Sequence, residues 1–203
     1  LYFALTIIFV LVTSVCISEF LWPFDPDFVD LSLRLEAPSL LHPLGCDLYG
    51  RDVLQSVMSG TKITLFVALS TVFLTTVFGS LIGLISGYYG SWVDKLCMRI
   101  IDILMAFPGI LIAMTMASIL GGSVFDIIFA ISITGWTSTA RLVRGQVLSL
   151  KNRDYIAAAH SIGCSTPRVL LGYLLPAVTT QLFVSASFSV SGVILTESSL
   201  SFL

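Results

Sequence analysis

Apolar runs of about 20 residues constrain this chain most, because that is the length at which a helix crosses roughly 30 Å of hydrocarbon. Five stand out, at about 1–20, 63–88, 98–120, 124–148 and 169–196, each bounded by polar or Gly/Pro punctuation. Inside a bilayer the backbone must satisfy its own hydrogen bonds, and none of these runs shows the ten-residue alternation of a membrane barrel. The expected fold is all-α, a polytopic transmembrane helical bundle. Composition agrees: 11% of residues are charged and mean hydropathy is +0.99, where a soluble domain carries roughly a quarter charged. A water-soluble fold is excluded.

Orientation follows from Lys and Arg, which accumulate in short cytoplasmic loops. Lys95 and Arg99 flank the connection between the second and third runs, and Arg141, Arg144, Lys151, Arg153 and Arg168 gather between the fourth and fifth. Segment 19–52 instead holds Glu19, Asp25, Asp27, Asp30, Glu36, Asp47 and Asp52 against Arg34 and Arg51. The reading is a first transmembrane helix at 1–20 with its N-terminus cytoplasmic, an ordered extracytoplasmic loop at 21–61 broken by Pro23, Pro26, Pro38 and Pro43, and a core membrane domain at 62–203. Residues 1–20 form too long an apolar run for a signal peptide and lack a small-residue cleavage site. The chain starts without methionine and stops in an apolar stretch, so it reads as part of a longer one. A net charge of −2 leaves no basic excess for nucleic acid. Cys16, Cys46, Cys97 and Cys164 form no CxxC pair and no ligand-like spacing with His42 or His160; they read as packing residues, with no metal site.

Several residues within the runs carry mechanism. Gly79, Gly83 and Gly87 share one helical face and let a neighbouring backbone approach, which outranks contact with cargo. Pro108, followed by Gly109, kinks the third run, as a candidate hinge or as static packing. Arg99 and Asp102 are expected to pair on one face. Asp126, beside Gly121 and Gly122, reads as wet. Glu197 lines a cargo path or reaches water, two readings of equal weight.

Stretch 153–176 is the most informative. Asn152 or Asp154 caps a short helix, Gly163 ends it or permits close contact, and Thr166 gives an N-cap followed by Pro167 in the first helical turn. Ala157, Ala158, Ala159 and Gly163 leave little bulk on one surface, which suits insertion into another protein's groove; an interfacial helix on the membrane fits the composition equally well.

These residues resemble the EAA loop of ABC importer permeases: Glu-Ala-Ala, three more, Gly, nine more, Ile, one more, then Leu-Pro. Gly163 and Leu175-Pro176 fit, while Ala157 stands for the Glu and Tyr173 for the Ile. HPLGCDLYGRD (42–52) is similar to the HPLGTDxxGRD signature of the dipeptide/oligopeptide/nickel permeases, with Cys46 in the threonine position. GYYGSWVDKLCMRIIDILMAFPGILIAM (87–114), WTSTARLVRGQVLSLKNRDYIAAA (136–159) and LTESSLSFL (195–203) resemble further signatures of the C-type subunit, in the right order over about four-fifths of the chain.

The resemblance implies a type I importer permease fold with five spans present of six, in a bacterial or archaeal cytoplasmic membrane. It also implies a heterodimer with a related permease, two cytoplasmic ATPases and an extracytoplasmic solute-binding protein. The cargo it implies is di- or oligopeptides, with nickel, glutathione or another small solute as the alternative. The ATPase-docking set it implies is Arg153, Asp154, Ala157, Ala158, Ala159, Gly163 and Pro176, on a coupling helix at about 153–166. Without the Glu, docking relies on small-residue shape more than on an ion pair. The chain has no GxxxxGK[ST] loop, so ATP and Mg are expected on the partner ATPases, with no cofactor and no enzymatic activity in this chain. An ion-coupled secondary transporter would place paired charges at the bilayer midplane, and an intramembrane enzyme would need a nucleophile and base inside the spans. The charges here gather near span ends and both histidines fall in loops.

Overall fold

A computed structural model describes residues 29–202 together with Thr13; the expected span at 1–20 otherwise lies outside the described residues, as does Cys16. The described helices are α1 (Val53–Tyr89), α2 (Ser91–Met105), α3 (Gly109–Leu120), α4 (Val124–Leu150), α5 (Asp154–Ser161) and α6 (Thr166–Phe202). Two units, Leu1–Phe66 and Val67–Leu203, are each internally compact.

In the first unit, a 3-10 turn at Leu31–Leu33 opens under Asp30, whose carboxylate accepts from the Ser32 N–H at 3.0 Å. The chain then doubles back, so that the Cys46 N–H donates to the Glu36 carbonyl at 3.1 Å and Cys46 bridges Asp52. Asp47 closes the tight turn by accepting from the Tyr49 and Arg51 N–H groups at 2.8 and 2.9 Å. The Arg51 N–H is the main reason that the Asp47 carboxyl is held below the usual carboxylate range. Asp52 accepts from the Leu54 N–H at 2.8 Å and so starts α1. That cap explains why α1 begins at Val53, ten residues ahead of its apolar run: the helix starts where its first donors are satisfied, not where lipid-compatible sequence begins.

In the second unit the C-terminal half of α1 runs against α4, and Gly90 (φ 62°) and Ser91 (φ 48°) turn the chain into α2. The third run is not one kinked helix. It is two helices, α2 and α3, bent by 81°. Pro108 (φ −58°, ψ 119°) has no N–H to continue α2, and its ring excludes Phe107 from the helical region, so the ladder stops at Met105 and restarts at Gly109. Ser123 and Asp126 form a reciprocal capping box that starts α4, with Asp126 half-buried.

Two described helices, α1 and α6, are long and apolar enough to cross a membrane, and a third span is added if α2 and α3 count as one. Each of the two long helices has 37 residues, about 55 Å at the helical rise. Helix α4 is long enough but is not among them, because Asp126, Arg141 and Arg144 and the polar stretch 134–139 dilute its hydropathy. Large apolar side chains such as Phe73, Phe78, Phe183 and Phe188 point outward, as a lipid-facing bundle requires. The larger core cluster joins Leu84 of α1, Val143 and Val147 of α4, Ile156 and Ala159 of α5, and Val169, Leu174, Val178 and Leu182 of α6. Within α6, a π-helical stretch at Leu170–Leu174 precedes Pro176, whose missing N–H cannot bond the Gly172 carbonyl; widening the turn relieves the clash.

Candidate functional site

The short helix α5 is attached by one face and free on the other. Ile156 and Ala159 are 1% and 2% exposed and lie in the larger core, three residues apart on the inner face. Arg153, Asp154, Ala157, Ala158 and Gly163 are exposed. Ala159 therefore separates from the other small residues grouped with it: its methyl is part of the core, and it presents nothing to a partner. Pro176 is exposed on α6, where its visible effect is the π-helical stretch before it.

The local caps differ from expectation. Arg153 is the N-cap residue of α5, with no side-chain hydrogen bond, so neither Asn152 nor Asp154 caps it. Asp154 sits in the first turn, where a carboxylate interacts favourably with the helix dipole. The following helix has Ser165 rather than Thr166 at its N-cap, again without a side-chain hydrogen bond. Gly163 does end α5. At φ +82° it donates to the His160 carbonyl at 2.9 Å, and Cys164 donates to the Ala159 carbonyl at 3.0 Å, the paired bonds of a Schellman motif. The left-handed backbone accounts for glycine here. A Cβ at this position would meet nothing within 4 Å, so the surface beside it is open.

Three contacts fix α5 and its neighbours to the rest of the unit. Tyr88, near the end of α1, places its hydroxyl 3.1 Å from His160 Nε2. Lys151 Nζ donates to the Gly87 carbonyl at 3.0 Å, placing a cation at the C-terminus of α1. Arg144 of α4 reaches Asp94 of α2 in a bidentate pair, with Nη2 2.6 Å from Oδ2. A second cross-helix pair joins Arg141 to Asp102 at 2.9 Å. Asp102 thus pairs across to α4 rather than with Arg99 on its own helix. Sequence reasoning missed both inter-helix pairs, which join residues 39 and 50 positions apart.

The glycines of α1 lie where α4 comes closest. A Cβ would fall 2.6 Å from the Trp136 carbonyl oxygen at Gly79, 2.5 Å from the Ala140 carbonyl oxygen at Gly83, and 2.9 Å from Val147 Cβ at Gly87. Beside this contact is a cleft of about 310 Å³ walled by Thr71 and Thr75 of α1, Gly109 and Ala113 of α3, Thr134 and Ser138 of α4, and Ser189 and Thr196 of α6. The buried Thr71 hydroxyl has no hydrogen-bond partner among the described residues. Glu197 is not part of the wall; it is 7% exposed and accepts from the Ser201 hydroxyl at 3.0 Å.

Comparison with known proteins gives this arrangement a family. The chain is 37% identical over 187 residues to the glutathione transport system permease protein GsiD of Pectobacterium atrosepticum, covering 92% of this chain and 62% of that protein. It is 38% identical over 201 residues to the protein of the same name from Shigella dysenteriae, covering 98% of this chain and 66% of the relative. A protein of Brucella ovis named by prediction as a peptide permease is 36% identical over 184 residues, covering 90% of this chain and 61% of the relative. The chain thus spans a little over three-fifths of the length of these relatives. Residues 79–203, well over half of the chain, match the family described as the binding-protein-dependent transport system inner membrane component, and the chain belongs to that family.

Proposed function

We propose that the chain is the membrane-spanning permease subunit of an ATP-driven importer, carrying di- or oligopeptides delivered by an extracytoplasmic binding protein. In this reading it pairs with a related permease and docks two cytoplasmic ATPases, which hold the ATP and Mg. Its N-terminus is cytoplasmic. The observation that carries the reading is α5: a helix anchored by Ile156 and Ala159 on one side and presenting Arg153, Asp154, Ala157 and Ala158 on the other. Closure of the ATPase dimer would push on that outer face, and the anchored face would pass the displacement to α1, α4 and α6 through the shared core. The result is a shift between inward-open and outward-open populations.

The hydroxyl-rich cleft beside Thr71 supplies a wall able to hydrogen-bond a polar solute, and it joins Glu197 as a stretch assigned to the pathway. The bend at Pro108 and Gly109 brings α3 to the same cleft, so any hinge there would change its width. Glutathione, itself a peptide, is the alternative cargo that the names of two relatives favour.

The test is uptake by membrane vesicles holding the whole transporter and its binding protein. Labelled di- and oligopeptides, glutathione and nickel(II) are compared with ATP present, with ATP absent, and with an imposed ion gradient alone. ATP-dependent peptide accumulation is expected. Uptake driven by the ion gradient without ATP would overturn the reading in favour of a secondary transporter.

A further inference from the structure

The segment ahead of α1 brings together three side chains that the linear spacing keeps apart. Glu36, His42 and Cys46 each place one ligand atom within 4.8 Å of the others. Their backbones are fixed by the loop itself. The Cys46 N–H donates to the Glu36 carbonyl at 3.1 Å, and the His42 carbonyl accepts from Gly45 and Ser39 at 2.8 and 2.9 Å. Gly45 is held at φ +73°, and a Cβ there would fall 2.6 Å from the Glu36 carbonyl oxygen, so the close approach of the two arms requires glycine.

The side chains are arranged for a cation of a particular kind. Asp52 engages His42 Nδ1 at 2.9 Å, which leaves Nε2 as the ring nitrogen for a ligand bond and orients the imidazole. Asp52 is itself held by the Leu54 and Gln55 N–H groups at the start of α1. Thiolate and imidazole favour zinc-type ions over calcium or magnesium, which take oxygen ligands. A tetrahedral zinc site needs ligand atoms about 3.3–3.8 Å apart, from bonds of about 2.0–2.3 Å. The ligand atoms must therefore draw together by up to about 1 Å, and of the three side chains Glu36 is the exposed one.

We infer that Glu36, His42 and Cys46 bind a zinc-type dication, with Asp52 as the positioning residue behind His42 and a fourth position left for water. The site pins the loop immediately ahead of α1 and does not depend on the permease reading. Binding releases the thiol proton to solvent and leaves the oxidation state of the metal unchanged.

The test is a cobalt(II) titration of the full-length protein, purified in detergent under reducing conditions. One equivalent should bind with a thiolate-to-cobalt charge-transfer band in the near ultraviolet, and zinc(II) should erase it. Cys46→Ser should abolish the band, while Cys97→Ser and Cys164→Ser should retain it. Asp52→Asn should keep the band but weaken binding by about 10- to 100-fold. Absence of the band in the folded wild-type protein, or its survival in Cys46→Ser, would overturn the assignment.

Discussion

Arg144 on α4 holds Asp94 on α2 through two parallel hydrogen bonds, fifty residues apart in the chain and both partly buried. Planar guanidinium and carboxylate groups match in this geometry, which a lysine cannot reproduce. Removing one partner strands the other charge where water reaches it poorly. Arg144→Met should destabilise the protein by about 2 kcal/mol, between the figures for exposed and fully buried pairs. Asp94→Leu combined with Arg144→Met should recover part of that loss in thermal unfolding. A double variant worse than the sum of the singles would contradict the pairing.

Gly83 and Gly145 offer an internal contrast. Both are helical, yet a Cβ at Gly83 would sit 2.5 Å from a backbone oxygen of α4, while one at Gly145 would meet nothing within 4 Å. Gly83→Ala should cost about 1–3 kcal/mol through forced separation of the helices. Gly145→Ala should gain up to about 1 kcal/mol from the better helix former. Melting temperatures of the two variants decide the matter, and equal shifts would contradict the close approach of α1 and α4.

Some of this was legible in the sequence. The four-residue spacing of Gly79, Gly83 and Gly87 shows a small-residue face, because helical periodicity alone puts the three together. Pro108 marks an interruption, since its missing N–H is a property of the residue. The 81° angle across it is not legible, because it depends on how α3 then packs on α4 through Ala113, Ala130 and Ile131. Likewise Ala157, Ala158 and Ala159 are indistinguishable as letters. Only the position of the core tells which one turns inward. The approach of Glu36, His42 and Cys46 is not legible either, because the three come from two arms of a loop whose closure rests on backbone bonds.

The bend between α2 and α3 is fixed at two places, the proline itself and the small core under α3. Pro108→Ala should therefore leave the bend in place, with a stability change of about 1 kcal/mol or less. Spin labels at Leu96 and Ile119 should report the same distance as in the parent protein. A straightened pair, seen as a longer distance, would assign the bend to the proline alone.

Ile156 is the main anchor of α5, 1% exposed within the larger core. Ile156→Ala should cost about 2–4 kcal/mol by leaving a cavity. Amide exchange over Asp154–Ser161 should accelerate more than that over α4. Tyr155→Ala on the same helix serves as the control, because Tyr155 is 43% exposed. If both variants behave alike, α5 is not held by the core as described.

In the proposed function the ATPase acts on the outer face of α5. Gly163 is a poor probe of it, because any side chain at φ +82° strains the turn by about 1–2 kcal/mol whatever it does to a partner. Ala158 is exposed in regular helix and carries no such penalty. The direct measurement is ATP-driven solute uptake by the reconstituted transporter carrying Ala158→Trp, beside the melting temperature of the same preparation. Uptake should fall at least tenfold, equivalent to about 1.4 kcal/mol of lost coupling, with the melting temperature unchanged. Unaltered uptake with tryptophan on that face would contradict this reading.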